Sequence, residues 1–478
     1  MHLRFALAVL ALMPFPVNLS AASPDTAIQQ LSRDILKELI EIDTTDSIGN
    51  TSLAAEAMAK RLRDAGLPAE DIRILGPNER KRNLVARFRG TGAGARKPIL
   101  IIAHLDVVEA RREDWTTDPF RLIERDGYFY GRGTQDMKAA DAIVVTTLIR
   151  FLREGYKADR DIILALTADE EGGRFNGVDW LLKHHRDLID AEYVLNPDSG
   201  GVYTDGGKPI DVEVEATEKL YADFELTATS PGGHSSLPVP DNAIYRIADA
   251  LARLEHAPFP FELNAVTRVY FERLAAAETP QKAADIHGIL KTPPDSAAIA
   301  RLSLDPHYNA TLRTTCVATR LSAGHANNAL PQTARAVVNC RILPGHSAEE
   351  VRQDLIRKFA DPAVAARYVD TALGETLDRA PEEKAFAPVT PKREAMEPLE
   401  RIASAFWPGA PVVPDMETGA SDSKYTNAAG MPSYGVSGLA IDHDDIRAHG
   451  KDERLRVSSY FQGVEFYYLY LKALTSAR

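Results

Sequence analysis

"PILIIAHLDVV", residues 98–108, is an apolar run that meets a histidine and, two residues later, an aspartate. Four consecutive aliphatic residues with no alternation read as a strand buried on both faces. His104 and Asp106 taken alone are the polar loop into which such a strand runs out. The surrounding text decides what kind of sheet this strand belongs to. "MKAADAIVVTTLIRFLREG" has helical spacing, "RDIILALTADEE" is strand text, "GVDWLLKHHRDLI" is helical, and "AEYVLNPDSGG" is a strand with a loop. Helix and strand alternate, which is the pattern of an α/β layered sheet.

Working outward, "KRNLVARFRG" is a second strand just upstream. The glycine-containing "GTGAGA" between it and residue 98 leads into a strand rather than a helix. It therefore reads as a hairpin loop and not as a phosphate cradle. Further upstream are two helical stretches, "AIQQLSRDILKELIEID" and "NTSLAAEAMAKRLRDAGL". The pattern changes near residue 212. Long alternating strand text, a helix and two strands carrying Cys316 and Cys340 read as a smaller α+β domain inserted into the first. Residues 259–305 look like an extra helical insert within it. The expected division is 23–212 and 381–478 for an α/β domain, with 213–380 inserted.

A chain of 478 residues is too long for one ordinary core. The formal net charge of -12 offers no broad basic surface for nucleic acid. Residues 1–22 combine Arg4, the short apolar "FALAVLALM", Pro14, Pro16 and the small residues Ser20, Ala21 and Ala22. That is a secretory signal, cut near Ala22, in which the apolar core is too short to span a bilayer. Export and periplasmic or secreted localisation follow as expectations, without a stable membrane anchor. Cys316 and Cys340 can pair if their strands are neighbours; otherwise they are two buried thiols.

Polar residues recur at the ends of the apolar strands. His104 and Asp106 follow "ILIIA", Glu170 and Glu171 follow "ILALTAD", and Asp198 follows "AEYVLN". Asp136 lies in the turn "YGRGTQDMKAA", and His449 in "AHGKDERL". Each has a plain alternative: Asp136 as a helix cap, the glutamates as a solvated turn, His449 as a surface histidine. Together, two histidines and several carboxylates are a donor set for divalent cations, zinc first, with cobalt or manganese as alternatives.

In order along the chain, "AHLDVV", "WTTDPFRLIERDGYFYGRGTQDMKAA", "ADEEGG", "SPGGHSSLP", "NNALPQTARAVVNCRILPG", "GASDSKY" and "HGKDE" resemble the motifs of the M20 co-catalytic metallopeptidases. That family includes carboxypeptidases, dipeptidases and N-acyl-amino-acid deacylases. The resemblance covers almost everything after residue 22. It implies two metal ions held by His104, Glu171, Asp198 and His449, with Asp136 bridging them ahead of a cis peptide. It also implies Asp106 as support for His104, and Glu170 as general base. His234, in the inserted lid or dimerisation domain, would steady the oxyanion. Arg341 and Asn328 would bind the substrate's carboxylate. The implied substrate is a small peptide or an N-acyl amino acid, and the implied assembly a homodimer through the inserted domain. The family's usual proline after "DVV" is Glu109 here. No G-x-S-x-G elbow or H-E-x-x-H motif supports a serine hydrolase or a single-zinc protease.

Overall fold

In the computed structural model, the described residues are 24–92, 96–276, 278–371, 373–382, 388 and 391–476. The expected signal sequence lies outside them. Two sheets organise the chain. The larger has ten strands, and its centre is a parallel block of Ile162–Thr167, Ile99–His104, Tyr193–Asn196 and Ser433–Gly435. The protein is thus a mixed α/β structure, as read from the sequence.

Ile99–His104 is buried along its whole length because both faces of the sheet are covered. Ile99, Ile101 and Ala103 pack with the helices Thr26–Glu41, Lys138–Glu154, Arg393–Phe406 and Val457–Thr475. Leu100 and Ile102 pack on the other face with Val178 and Leu181 of Gly177–His184. Burying each such aliphatic chain contributes about 1.5–3 kcal/mol. A one-residue slip would exchange the two faces, so the register is fixed and His104 is placed at the carboxyl edge. Ligands of open α/β sheets bind at that edge.

The smaller sheet is antiparallel, in the order Thr315–Ala323, Thr333–Ile342, Leu220–Thr229, Val364–Asp370, Glu375–Leu377. The helices Ala243–His256 and Ala348–Phe359 cover one face through Ile247, Ala250, Val351 and Leu355. Alternation sends Tyr221, Asp223, Asn339 and Arg341 to the opposite face. Cys316 pairs directly with Cys340 across two neighbouring strands, and the two form a disulfide. The choice left open by the sequence is settled as a bridge.

Two expectations are corrected. The strands flanking residues 90–95 do not form a hairpin: Ile162–Thr167 lies between Asn83–Phe88 and Ile99–His104. Strand Lys208–Glu218 stays in the large sheet throughout, so the change of sheet falls at Lys219 rather than near residue 212. The helical stretch following residue 259 packs against the large sheet. Tyr270, Phe271, Ile286 and Leu302 of its helices share a core with Val413, in strand Val412–Glu417 of the large sheet. Arg273 also hydrogen-bonds the Val412 carbonyl. Apolar surface on that strand is covered by the insert.

Lys219 marks the crossing between the sheets. It is fully buried, and its Nζ donates to the Arg313 carbonyl at 2.7 Å and to Thr315 Oγ1 at 3.3 Å. Burial, together with Arg341 and Arg313 nearby, lowers its pKa to about 7. Between that value and the ordinary lysine pKa near 10.4, the unfolded chain holds a proton at Lys219 that the folded chain does not. Stability from this group therefore rises with pH, by up to about 1.4 kcal/mol per unit, and is lost on descent to pH 7. Denaturant melts at pH 7, 8 and 9 are expected to show a shallower pH slope for Lys219→Met than for wild type. Parallel slopes would refute it.

Candidate metal centre

The carboxyl edge of the parallel block gathers the charged side chains. His104 ends its strand, Glu170 and Glu171 lie just beyond Ile162–Thr167, and Asp198 lies just beyond Tyr193–Asn196. Asp136 lies two residues before the start of helix Lys138–Glu154 and is joined to Met137 by a cis peptide. It is not the cap of that helix: the cap position is Met137, without a side-chain bond.

Asp136 stands between two histidines. Its Oδ1 is 3.1 Å from His104 Nε2, and its Oδ2 is 3.0 Å from His449 Nε2. Asp198 Oδ1 lies 3.4 Å from His104 Nε2, and Glu171 Oε2 lies 2.9 Å from His449 Nε2. Glu170 Oε2 is 4.0 Å from His104 Nε2. Two ligand-like groups result, His104–Asp136–Glu171 and His104–Glu170–Asp198, each with donor atoms within 4.8 Å of one another. His104 Nε2, Asp136 Oδ1 and Glu171 Oε1 are buried without a hydrogen-bond partner of good geometry. Buried polar atoms are rarely orphaned unless something else fills their valence. Imidazole nitrogen and carboxylate oxygen in this ratio fit divalent cations such as zinc.

The electrostatics agree with that fit. Burial disfavours a charged His104, yet Asp198, Asp136 and Glu170 outweigh it and hold its pKa well above the ordinary value. Hydrogen bonds to Asp136 and Glu171 lift His449 to about 10. Burial pushes Glu170 well above the usual carboxylate range, with Asp198, Asp422 and Glu171 adding to it against His104. Negative charge is in surplus, and cations relieve it as protons do.

Supporting contacts differ from expectation at Asp106. Its backbone carbonyl, not its carboxylate, holds His104 Nδ1 at 2.9 Å. The carboxylate stays 3.8 Å from that nitrogen. It accepts instead from the Glu170 and Glu171 amides, at 3.2 and 3.0 Å. Burial raises the Asp106 carboxyl to about 7, against His104 and the two amides.

Residues 100–473 match the model of peptidase family M20/M25/M40. The chain belongs to that family. It is 30% identical over 401 residues to a probable carboxypeptidase S-like 2 of Dictyostelium discoideum, covering 82% of this chain and 74% of that protein. It is 30% identical over 381 residues to the N-fatty-acyl-amino acid synthase/hydrolase PM20D1 of Xenopus tropicalis, covering 77% and 71%. The fold resembles the M20 metallo-carboxypeptidase Sso-CP2 of Sulfolobus solfataricus, with a TM-score of 0.67 at 16% identity over 93% of this chain and 99% of that one. Human carnosine dipeptidase 1 gives 0.63 at 15%, over 95% and 99%. The protein is therefore an M20-type metallopeptidase, with a dinuclear-type donor cluster.

The remaining expected site residues of this M20 chain lie in the smaller sheet's half. His234 is exposed and pairs in a short ribbon, Gly233–His234 with Ala329–Leu330. Its Nδ1 is 2.7 Å from Ser236 Oγ. The Asn328 carbonyl accepts from the Ser235 amide, so His234 and Asn328 share one loop cluster. Arg341 lies on the polar face of the small sheet, 4.8 Å over the Tyr221 ring. Among the described residues no hydrogen bond or ion pair joins these three to the His104 cluster. His443, six residues before His449, stacks on Tyr203 at 4.7 Å and takes no part in the cluster.

Sequence reasoning did not assign Lys424 or Glu453. Burial works against the Lys424 charge, but Tyr425, Glu218, Asp422 and Glu170 together raise its pKa above the ordinary lysine value. Glu453 is fully buried. Its Oε2 accepts from Arg132 at 2.6 Å and from the Gly133 amide at 3.1 Å; its Oε1 accepts from the Gln135 and Asp136 amides at 2.6 and 3.1 Å. Arg132 continues to the carbonyls of His449 and Gly450, at 3.4 and 3.0 Å. The signal was present, since glutamate four residues after histidine was part of the quoted motif. Glu453→Gln keeps the shape but breaks a buried charge pair, which costs about 3–5 kcal/mol. Thermal unfolding is expected to drop sharply and the metal content of purified protein to fall. Unchanged melting and metal content would contradict the assigned role.

Proposed function

We propose that this chain is a two-metal hydrolase cleaving an amide bond next to a free carboxylate, as a carboxypeptidase or dipeptidase, with zinc as the native ion. The observation that carries the reading is Asp136, whose two oxygens face two different histidines. Bridging two cations about 3.5–4 Å apart requires that arrangement. His104 and Asp198 would hold one ion, His449 and Glu171 the other. Such ions supply Lewis-acid polarisation of the scissile carbonyl and acidify the attacking water.

Glu170 is the base in this reading. It stands at the edge of the cluster, anchored through its amide to Asp106, within reach of a water held between the two ions. It takes the water's proton and passes it to the leaving nitrogen. Arg341 presents a planar fork that matches a carboxylate, with Asn328 as a neutral partner. His234 steadies the oxyanion on closure of the inserted domain or from a second subunit. A homodimer is supported by the exposed edge strand Thr315–Ala323, on which Val317 and Leu321 are 61% and 66% exposed. Export rests on residues 1–22; no helix of the described residues is long and apolar enough to cross a membrane.

One observation favours an N-acyl amino acid as an alternative substrate. Ile48, Phe175 and Ile446 are exposed apolar residues. Ser47, beside Ile48, donates its amide to Glu109. Phe175 follows the glutamate pair, and Arg447, after Ile446, donates its amide to Gln135. An apolar acyl chain would find cover there, in keeping with the acyl-amino-acid activity named for PM20D1.

A panel of dipeptides and N-acyl amino acids on zinc-loaded protein decides between the two. Glu170→Gln is expected to lower kcat by about 10²–10⁴-fold with both ions retained. Arg341→Met is expected to raise KM for every carboxylate-bearing substrate. Equal rates for wild type and Glu170→Gln would end the proposal.

A further inference from the structure

Glu170 and Glu171 must point different ways from adjacent positions, so the backbone that presents them has to be held. Asp169, just before them, is buried and sits in the left-handed region at φ 59°. Its carboxylate accepts from the Phe175 amide at 3.2 Å, closing the loop that follows the glutamates. Gly173, at φ +99°, passes so close that a Cβ there would collide with that carboxylate. The Asp169 carbonyl accepts from Asn176 Nδ2 at 3.3 Å. The cation that meets Asp169 is Lys81, hydrogen-bonded through Nζ to Oδ1.

Lys81 comes from a different part of the chain, two residues ahead of strand Asn83–Phe88. It is 7% exposed. Its Nζ also reaches Asp46 Oδ1 at 2.9 Å. Asp46 belongs to the loop after the first helix, where Thr44 Oγ1 donates to the Leu105 carbonyl at 2.7 Å. Burial works against the Lys81 charge, but hydrogen bonds to Asp169 and Asp46 more than restore it. One ammonium therefore ties the loop carrying both glutamates to the loop braced against the residue after His104.

We propose that Lys81 is a positioning residue of the metal centre, acting through Asp169 to fix the Glu170 and Glu171 carboxylates. The inference rests on the roles given above to Glu170 and Glu171. Lys81 touches neither substrate nor metal in this account. Removing a partner that orients ligands typically costs about 10–100-fold in metal affinity or activity. Because the binding groups for substrate lie elsewhere, the loss falls on kcat and on the ion held by Glu171, not on KM.

The test uses the full mature chain stripped with chelator and titrated with zinc by calorimetry, followed by kinetics on the zinc-loaded protein. Lys81→Met is expected to weaken the second zinc equivalent and lower kcat by about 10–100-fold, with KM within about twofold of wild type. Lys81→Arg is expected to recover most of both. Asp169→Asn, nearly isosteric, is expected to give the same losses, and the double variant no more than the worse single one. Should Lys81→Met fail to fold, Asp169→Asn carries the same expectation. Zinc affinity and kcat within twofold of wild type in the folded variants, a loss confined to KM, or multiplicative losses in the double variant would overturn the inference. If wild type binds two zinc ions but cleaves nothing in the panel, the hydrolase reading fails, and the zinc titration still decides the role of Lys81.

Discussion

A single buried carboxylate organises the two late and early halves of the centre. Glu453 accepts hydrogen bonds from Arg132 and from the amides of Gly133, Gln135 and Asp136. A charge in that position is tolerable only because every lone pair is used and a guanidinium neutralises it. Arg132 is itself committed, bonding the carbonyls beside His449 and stacking its guanidinium 5.1 Å from the Trp115 ring. Asp136 and His449 are thereby parts of one hydrogen-bonded body, although they lie far apart in the chain. The distances between Asp136 and the two histidines follow from that body and from the strand that ends in His104.

The second organising fact is a deficit of positive charge. Asp136, Glu170, Glu171 and Asp198 crowd two imidazoles, and the histidines respond with raised pKa values. Structural ion pairs lie close by but are spent on the scaffold. Lys138 is buried against the Ile42 carbonyl at 2.9 Å, and burial lowers its pKa to about 8. Lys81 is committed to Asp169 and Asp46. The centre is built to be completed by ions from solution.

Much of this was legible before any coordinates. Buried apolar runs ending in His104, Glu170 and Asp198 placed the strands and their common edge, because hydrophobic burial and strand polarity are written locally. The disulfide was left open for the reason that it depends on which strands neighbour each other. Strand order in a sheet is a property of the whole chain, and the same gap produced the mistaken hairpin at residues 90–95. The packing partner of the helical insert was not legible, because amphipathic spacing tells that a face is buried, not against what. At Asp106 the carboxylate accepts from the glutamate amides while only the carbonyl reaches His104, a distinction that side-chain type alone does not encode. Glu453 went unassigned since a buried glutamate looks like any other until its four donors are seen.

The passage at Lys219 also sets an order of events during synthesis. Five of the six clustered side chains, from His104 to Asp198, leave the ribosome before the small sheet begins at Leu220. His449 leaves after the small sheet and the helical insert have been made. Until then the nascent half displays an acidic cleft with one imidazole and no Glu453 to anchor Asp136. A chain cut short before residue 449 would keep most of the hydrophobic contacts of the central sheet while holding an unfinished centre. In the proposed two-ion centre, His449 and Glu453 are thus the last of the contributing residues to be made.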